Sequence, residues 1–213
     1  MVYLLSRSVG FLARFGFVGR RSDIFYLCAA RAARGFGDGY AAIILPAYLI
    51  EIGFNPFQIG IVATAALLGS AGLTLIIGFL APRYGSRALL LSCALLMVLT
   101  GAALPHFQHF LFIGLVAFFG TINPTTGDIG VHIPLEQAAL AERTTDSERT
   151  SIFARYSLIG ALSIAAGALA AGLPEALASV GMTKLGALRV MFYLYAALGL
   201  LGAAFYSLLP RTR

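Results

Sequence analysis

Two aspartates lie where a carboxylate is hard to keep. Asp38 sits in RAARGFGDGYAAIILPAYL (Arg31 to Leu49) and Asp128 in FFGTINPTTGDIGVHIPLEQAALAER (Phe118 to Arg143), each several residues inside a largely apolar segment. An ionised carboxylate in hydrocarbon costs at least about 2.5 to 3.5 kcal/mol, so each must face a protein interior or water, or take up a proton. Proton exchange and ion pairing are the chemistry open to such groups. Around Asp128 the residues Asn123, Pro124, Thr125 and Thr126 add polar atoms and a helix break, and such backbone is tolerated at membrane depth only against protein or a wet crevice. Asn123, Thr126 and Tyr40, which follows Asp38 closely, are therefore candidate cavity-lining residues. A plainer account remains open for both acids. Arg34 lies four residues before Asp38 and could simply pair with it, although the Arg-before-Asp order is the weaker one. Asp128 could instead begin a loop if its segment ends near Ile122.

The composition says what must hold these groups. Of 213 residues, 59% are hydrophobic, 11% are charged and none is tryptophan. A soluble domain or a disordered chain would carry far more charge, so the sequence reads as an integral membrane protein. A membrane helix needs about 20 mostly apolar residues. Six segments qualify: Phe25 to Ile50, Phe57 to Leu80, Arg87 to Leu104, Phe110 to Ala141, Thr150 to Leu173 and Leu188 to Leu209. Turn-rich GFNPF and LPHFQHF and charged APRYGSR and ERTTDSER separate them. The expected fold is an all-α polytopic bundle of six transmembrane helices over residues 23–210, with a basic interfacial segment at 1–22 and a short tail at 211–213. In that first segment Arg7, Arg14 and Arg21 recur at heptad spacing, as on a helix lying on an anionic membrane surface.

With six spans, every arginine except Arg189 falls on one side, and Lys184 joins Arg189 on the other, so both termini are expected in the cytosol of a cell bounded by a plasma or inner membrane. Arg31 and Arg34 then lie in the first turns of span one, where long side chains can snorkel to cytosolic water. Asp38 starts about 10 Å further along the helix than Arg31 and has no such escape. Glu136, Glu142, Arg149 and Arg155, together with Arg31 and Arg34, are candidates for cytosolic ion pairs, or for a simple solvated edge. His106 and His109 read as an interfacial pair rather than a metal site, because no further ligand lies nearby. His132 is a weaker candidate for the cytosolic vestibule, and Cys28 and Cys93 read as reduced, packed side chains. Small residues recur every fourth position as Ala66, Ser70, Thr74 and Gly78 in span two and as Ser163, Gly167 and Ala171 in span five, which predicts close helix contacts.

Between spans two and three lies GFLAPRYGSRALL, Gly78 to Leu90. It resembles the signature loop of the major facilitator superfamily, Gly-x-Leu-Ala-Asp-Arg-x-Gly-Arg-Arg/Lys, with Gly78, Leu80, Ala81, Arg83, Gly85 and Arg87 matching in spacing. Pro82 stands where the family has aspartate, and Ser86 where it usually has a base. In physical terms Gly78 would let two helices approach, Gly85 could turn the chain with a positive φ, and the arginines could grip carboxylates or helix C-termini. The resemblance runs from about Asp23 to Pro210 and implies one six-helix half of a transporter, built from two three-helix repeats of opposite orientation. Spans one and four are then counterparts. Asp38 lies thirteen residues after Phe25 and Asp128 thirteen before Ala141, so the two acids are expected at matching depth, as transport and proton-coupling candidates.

The family normally carries twelve spans, and this sequence stops where a central linker would begin, as a fragment, a truncated frame or a half-size unit would. The expected function is secondary active transport of a small solute by alternating access, with proton coupling as a hypothesis; the alternative is a non-transporting half that serves as a membrane assembly subunit. Expected partners are the lipid bilayer, a small-molecule substrate, and a second half or a homodimer mate; neither nucleic acid nor a cofactor is expected. No Gly-x-x-x-x-Gly-Lys-Ser/Thr loop occurs, so any driving energy must come from a gradient or a partner. An intramembrane protease reading fails, because Gly69 to Gly72 reads GSAG and no histidine follows His132, so the chain is not expected to be an enzyme.

Overall fold

A computed structural model describes the backbone of residues 2–122 and 130–210, with side chains from Ser22 onward within those ranges. The described residues form α1 (Val2–Glu51), α2 (Pro56–Leu80), α3 (Ser86–Ala103) with a 3-10 turn at Leu104–His106, α4 (Phe110–Phe119), α5 (His132–Glu142), α6 (Asp146–Ala170), α7 (Leu173–Ser179) and α8 (Lys184–Ser207). Asn123, Thr126 and Asp128 lie outside the described residues.

The boundaries follow local chemistry. Gly53, at φ +92°, closes α1 in a left-handed turn that a side chain would strain, and Asn55 with Gln58 then forms a capping box ahead of Pro56 at the start of α2. Thr183 caps α8 through the Gly186 amide. The turn geometry expected of Gly85 is not observed: it caps α3 in an extended conformation, φ −62° and ψ 146°, which any residue can adopt.

Four stretches are long and apolar enough to cross a membrane: Pro56–Leu80, Ser86–His106, Asp146–Ser179 and Lys184–Ser207. These correspond to expected spans two, three, five and six. The first and fourth expected spans depart for different reasons. α1 has the length but carries Arg31, Arg34, Asp38 and Glu51. The fourth is divided, with Gly120 ending α4 in an extended conformation and α5 starting only at His132, so each piece is too short to cross alone.

α1 packs along α6 and α8, α3 along α8, and α2 against α4. Small residues make the closest approaches. A β-carbon on Gly39 would overlap the Ile164 carbonyl, one on Gly167 the Phe36 carbonyl, and one on Gly69 the Phe118 carbonyl. The span-five ridge therefore serves as expected at Gly167 and Ser163, which meets Gly35. The span-two ridge does not extend to Gly78, whose Cα faces open space. α2 buries Ala66 of that ridge together with Val62 and Gly69, so the contact holds at the start of the stripe and not at its Gly78 end.

Two apolar cores result. One gathers Tyr40 to Leu49 of α1 with Met97, Ile113, Phe192 and Tyr195; the other gathers Leu27 and Ala30 with Leu90, Cys93, Leu135, Tyr156 and Tyr206. Between them, along α1, lies the polar stretch Arg31 to Asp38.

Candidate functional site

Arg31, Arg34 and Asp38 are spaced three and four residues apart, so a helix sets them on one face. That face looks into the bundle. Arg31 is 1% exposed and Arg34 5% exposed, so the expectation that both snorkel to water is corrected. The reason is that both find partners inside. The Arg31 guanidinium lies over the Tyr156 ring, 5.3 Å from its centroid, in space that the missing side chain of Gly160 leaves open. Arg34 uses two nitrogens on two carboxylates: Nη2 donates to Glu136 Oε2 at 2.9 Å and Nη1 to Asp38 Oδ2 at 3.1 Å.

Glu136 was a candidate for a cytosolic ion pair or for a solvated edge; it forms an ion pair, with Arg34, but fully buried rather than at an edge. α5 turns it inward, where the hydroxyls of Tyr156 on α6 and Tyr206 on α8 also donate to its two oxygens. A carboxylate taken from water needs such donors, and here three side chains from three helices supply them. Asp38 is held more loosely. Tyr195 donates to its Oδ1 at 3.1 Å, the Tyr195 hydroxyl lies 3.2 Å from Thr121 Oγ1, and the Asp38 side chain remains 28% exposed. The expected i, i+4 pair with Arg34 thus exists, inside a larger network that pairing alone would not require.

Tyr40 does not line an open cavity. It is wholly buried, its ring packs edge-on against Phe36 and Tyr195, and its hydroxyl donates to the Met191 carbonyl, so it joins α1 to α8. His132 is buried beside the cluster, and its Nε2 has no hydrogen-bond partner among the described residues.

The remaining candidates sit at the ends of the bundle. Arg87 donates to the Ser207 carbonyl at the end of α8, the helix C-terminus grip expected of the signature loop, while Arg83 is exposed. Leu80, Gly78 and Gly85 complete that loop without touching the ion network. Glu142 lies 3.5 Å from Arg143, and Arg149 and Arg155 are exposed with no ion pair to a described residue. A contact the sequence did not signal is Arg143 Nε to Asp23 Oδ2 at 3.3 Å, which ties the end of α5 to α1. At the opposite end Lys184 pairs with Glu51 at 3.4 Å. His106 and His109 serve locally, His106 against the Ala102 carbonyl and the Tyr193 ring, His109 as the cap of α4.

The Major Facilitator Superfamily profile matches residues 27–213, most of the chain. The chain belongs to the Major Facilitator Superfamily. The resemblance carried by Gly78 to Leu90 is therefore sound despite Pro82, and the protein is a membrane protein of a family that is typically non-enzymatic. It is also similar to an uncharacterised membrane protein of Saccharomyces cerevisiae, YJR124C, with 27% identity over 177 residues. That match covers 82% of this chain but 40% of the yeast protein, so the chain spans under half the length of this relative.

Proposed function

We propose that the chain is the N-terminal six-helix half of a secondary transporter, which moves a small solute by alternating access and couples that movement to protons at Asp38. In this reading α1, α2, α3, α6 with α7, and α8 are five spans, and α4 with α5 forms a broken fourth. Broken helices at membrane depth are how many carriers expose backbone to substrate. The arginine-rich end, with Arg83, Arg87 and the Arg143–Asp23 pair, is the cytosolic one. Asp128, on the broken span, would meet Asp38 across the pseudo-symmetry of the half. The second half would cover the open face around Gly78, as a further segment of a longer chain or as a partner subunit.

One observation carries the reading: Arg34 is pinned by a wholly buried Glu136, while its second carboxylate, Asp38, keeps 28% of its side chain exposed. A purely structural ion network would seal both acids. A carrier needs one acid that can exchange its proton while the counter-charge stays fixed.

The test is reconstitution of the native assembly into liposomes with an imposed pH gradient and an internal pH dye, then a screen for solutes that collapse the gradient. Solute-driven proton flux is expected in the parent protein and is lost in Asp38→Asn. Undiminished flux in that variant removes Asp38 from the mechanism, and a well-folded assembly that moves no solute favours the assembly-subunit alternative.

A further inference from the structure

The Tyr195 hydroxyl carries one hydrogen and faces two partners. It donates to Asp38 Oδ1 at 3.1 Å and lies 3.2 Å from Thr121 Oγ1. An ionised carboxylate can only accept, so while Asp38 is charged the Tyr195 hydrogen points at it and Thr121 donates to the Tyr195 oxygen. The chain of donors then runs from Thr121 through Tyr195 on α8 to Asp38 on α1. Thr121 directly follows the point where the fourth span is divided. Gly120 ends α4 in extended backbone, and a β-carbon there would overlap the Val116 carbonyl and the Thr100 side chain, so the break is pressed against α3. The Thr121 amide also donates to Thr100 Oγ1, at 3.4 Å.

A proton added to Asp38 has a defined place. The two carboxyl oxygens differ, because Oδ2 accepts from Arg34 Nη1 at 3.1 Å and a guanidinium can only donate. A proton on Oδ2 would oppose an N–H, whereas a proton on Oδ1 meets an oxygen able to accept it. The proton therefore settles on Oδ1, and Oδ2 keeps its bond to Arg34. Asp38 then donates to Tyr195, the Tyr195 hydrogen turns to Thr121 Oγ1, and the Thr121 hydrogen turns away from Tyr195. One proton enters from solvent by way of the exposed part of the Asp38 side chain, and none leaves. Before the change the bond to Asp38 is charge-assisted, roughly twice as strong as a neutral one, and it polarises the bond behind it. Afterwards both bonds join neutral groups, and the hold on Thr121 weakens.

Resting on the carrier reading above, we propose that Tyr195 is a positioning residue that carries the protonation state of Asp38 to the divided fourth span, by reversing the direction of the Thr121–Tyr195–Asp38 hydrogen-bond chain. The end of α4 is held firmly while Asp38 is charged and more loosely once it is protonated, so proton uptake on α1 is linked to the freedom of α4. Among the described residues, the charged and titratable groups around Asp38 are Arg31, Arg34 and Tyr40 on α1 and Tyr195 on α8. Grouped around Arg34 are Glu136 and His132 on α5, Cys93 on α3, Tyr156 on α6 and Tyr206 on α8. Of all these, Arg34 and Tyr195 alone bond Asp38 directly, and Tyr195 alone also reaches Thr121.

The test is fluorine nuclear magnetic resonance of the native assembly carrying trifluoromethylphenylalanine in place of Phe119, the last residue of α4, which is 59% exposed. The resonance is followed as pH is lowered through the range in which the assembly stays folded. In the otherwise unaltered protein it is expected to move along a one-proton curve. Asp38→Asn, whose amide N–H would face Tyr195 while its oxygen keeps Arg34, should hold the resonance at its low-pH position at every pH. Tyr195→Phe and Thr121→Val each remove one hydroxyl and should abolish the shift. Thr121→Ser, which puts a hydroxyl back, should recover it, an order that lost packing would not produce. Should Asp38→Asn not fold, the contrast between Thr121→Val and Thr121→Ser decides the question. A resonance that stays still in the unaltered protein, that still moves in Asp38→Asn, or that moves as far in Thr121→Val as without it overturns the proposal. Each of those results leaves the carrier reading standing, because solute-driven proton flux needs no link to α4; that reading falls separately, if the flux survives Asp38→Asn.

Discussion

Glu136 and Asp38 bond to the same guanidinium at nearly the same distance, 2.9 and 3.1 Å, yet they occupy opposite environments. Glu136 has no exposed surface and takes three donors from three helices, Arg34 of α1, Tyr156 of α6 and Tyr206 of α8. Asp38 takes Arg34 from one turn away on its own helix and Tyr195 from α8, and keeps a face open. The first arrangement fixes the relative rotation of α1, α5, α6 and α8. The second leaves a carboxylate with part of its side chain exposed. One arginine thus joins a sealed acid to a partly open one.

Substitutions that separate the two acids test this division, the largest effect falling on Glu136. Glu136→Ala strands a buried guanidinium and two tyrosine hydroxyls and should cost about 3 to 5 kcal/mol, seen as loss of a monodisperse peak in detergent or a collapse of thermal stability. A Glu136→Ala protein as stable as its parent would remove the anchor role. Tyr206→Phe and Tyr156→Phe each delete one hydrogen bond to a charged acceptor and should cost about 1.5 to 3 kcal/mol by the same thermal assay. Tyr156→Ala should cost more than Tyr156→Phe, because only the alanine also removes the ring beneath Arg31. Asp38→Asn should change stability by less than about 1 kcal/mol, because a partly exposed pair within one helix contributes little, while transport is abolished. That contrast, an inactive but well-folded protein, is the sharpest form of the comparison. Arg149→Ala and Arg155→Ala lie at the other extreme: both are exposed, and each should shift stability by less than about 0.5 kcal/mol, with a larger loss showing that they meet a partner outside the described residues.

The signature loop was readable because its elements are contiguous: Arg87 needs only a helix end within reach, and it finds the α8 carboxyl end at Ser207. Gly78 was misread for the opposite reason. A small residue every fourth position marks a smooth stripe, but which stripe meets a neighbour depends on rotation about the helix axis, and α2 turned Gly69 rather than Gly78 toward its partner. Arg31 and Arg34 illustrate the same limit. Near the end of a span, snorkelling and inward pairing place the arginine at the same depth and differ only in direction. Tyr40 was assigned to the cavity from its neighbourhood to Asp38, yet two residues along a helix is a turn of about 200°, which carries it to a different face.

By itself the sequence determined the membrane class, most of the spans, the superfamily and the presence of a carboxylate at Asp38 that hydrocarbon could not tolerate. These are properties of neighbouring residues, since apolar length and loop spacing add up along the chain. Only the tertiary structure decided that Arg34 reaches Glu136 across 102 residues, that Tyr156 and Tyr206 seal that acid, and that Asp38 alone of the pair stays open. Side chains so far apart meet only when the rotation and axial register of several helices agree, and those are fixed by packing at glycines such as Gly39, Gly160 and Gly167 rather than by any local pattern.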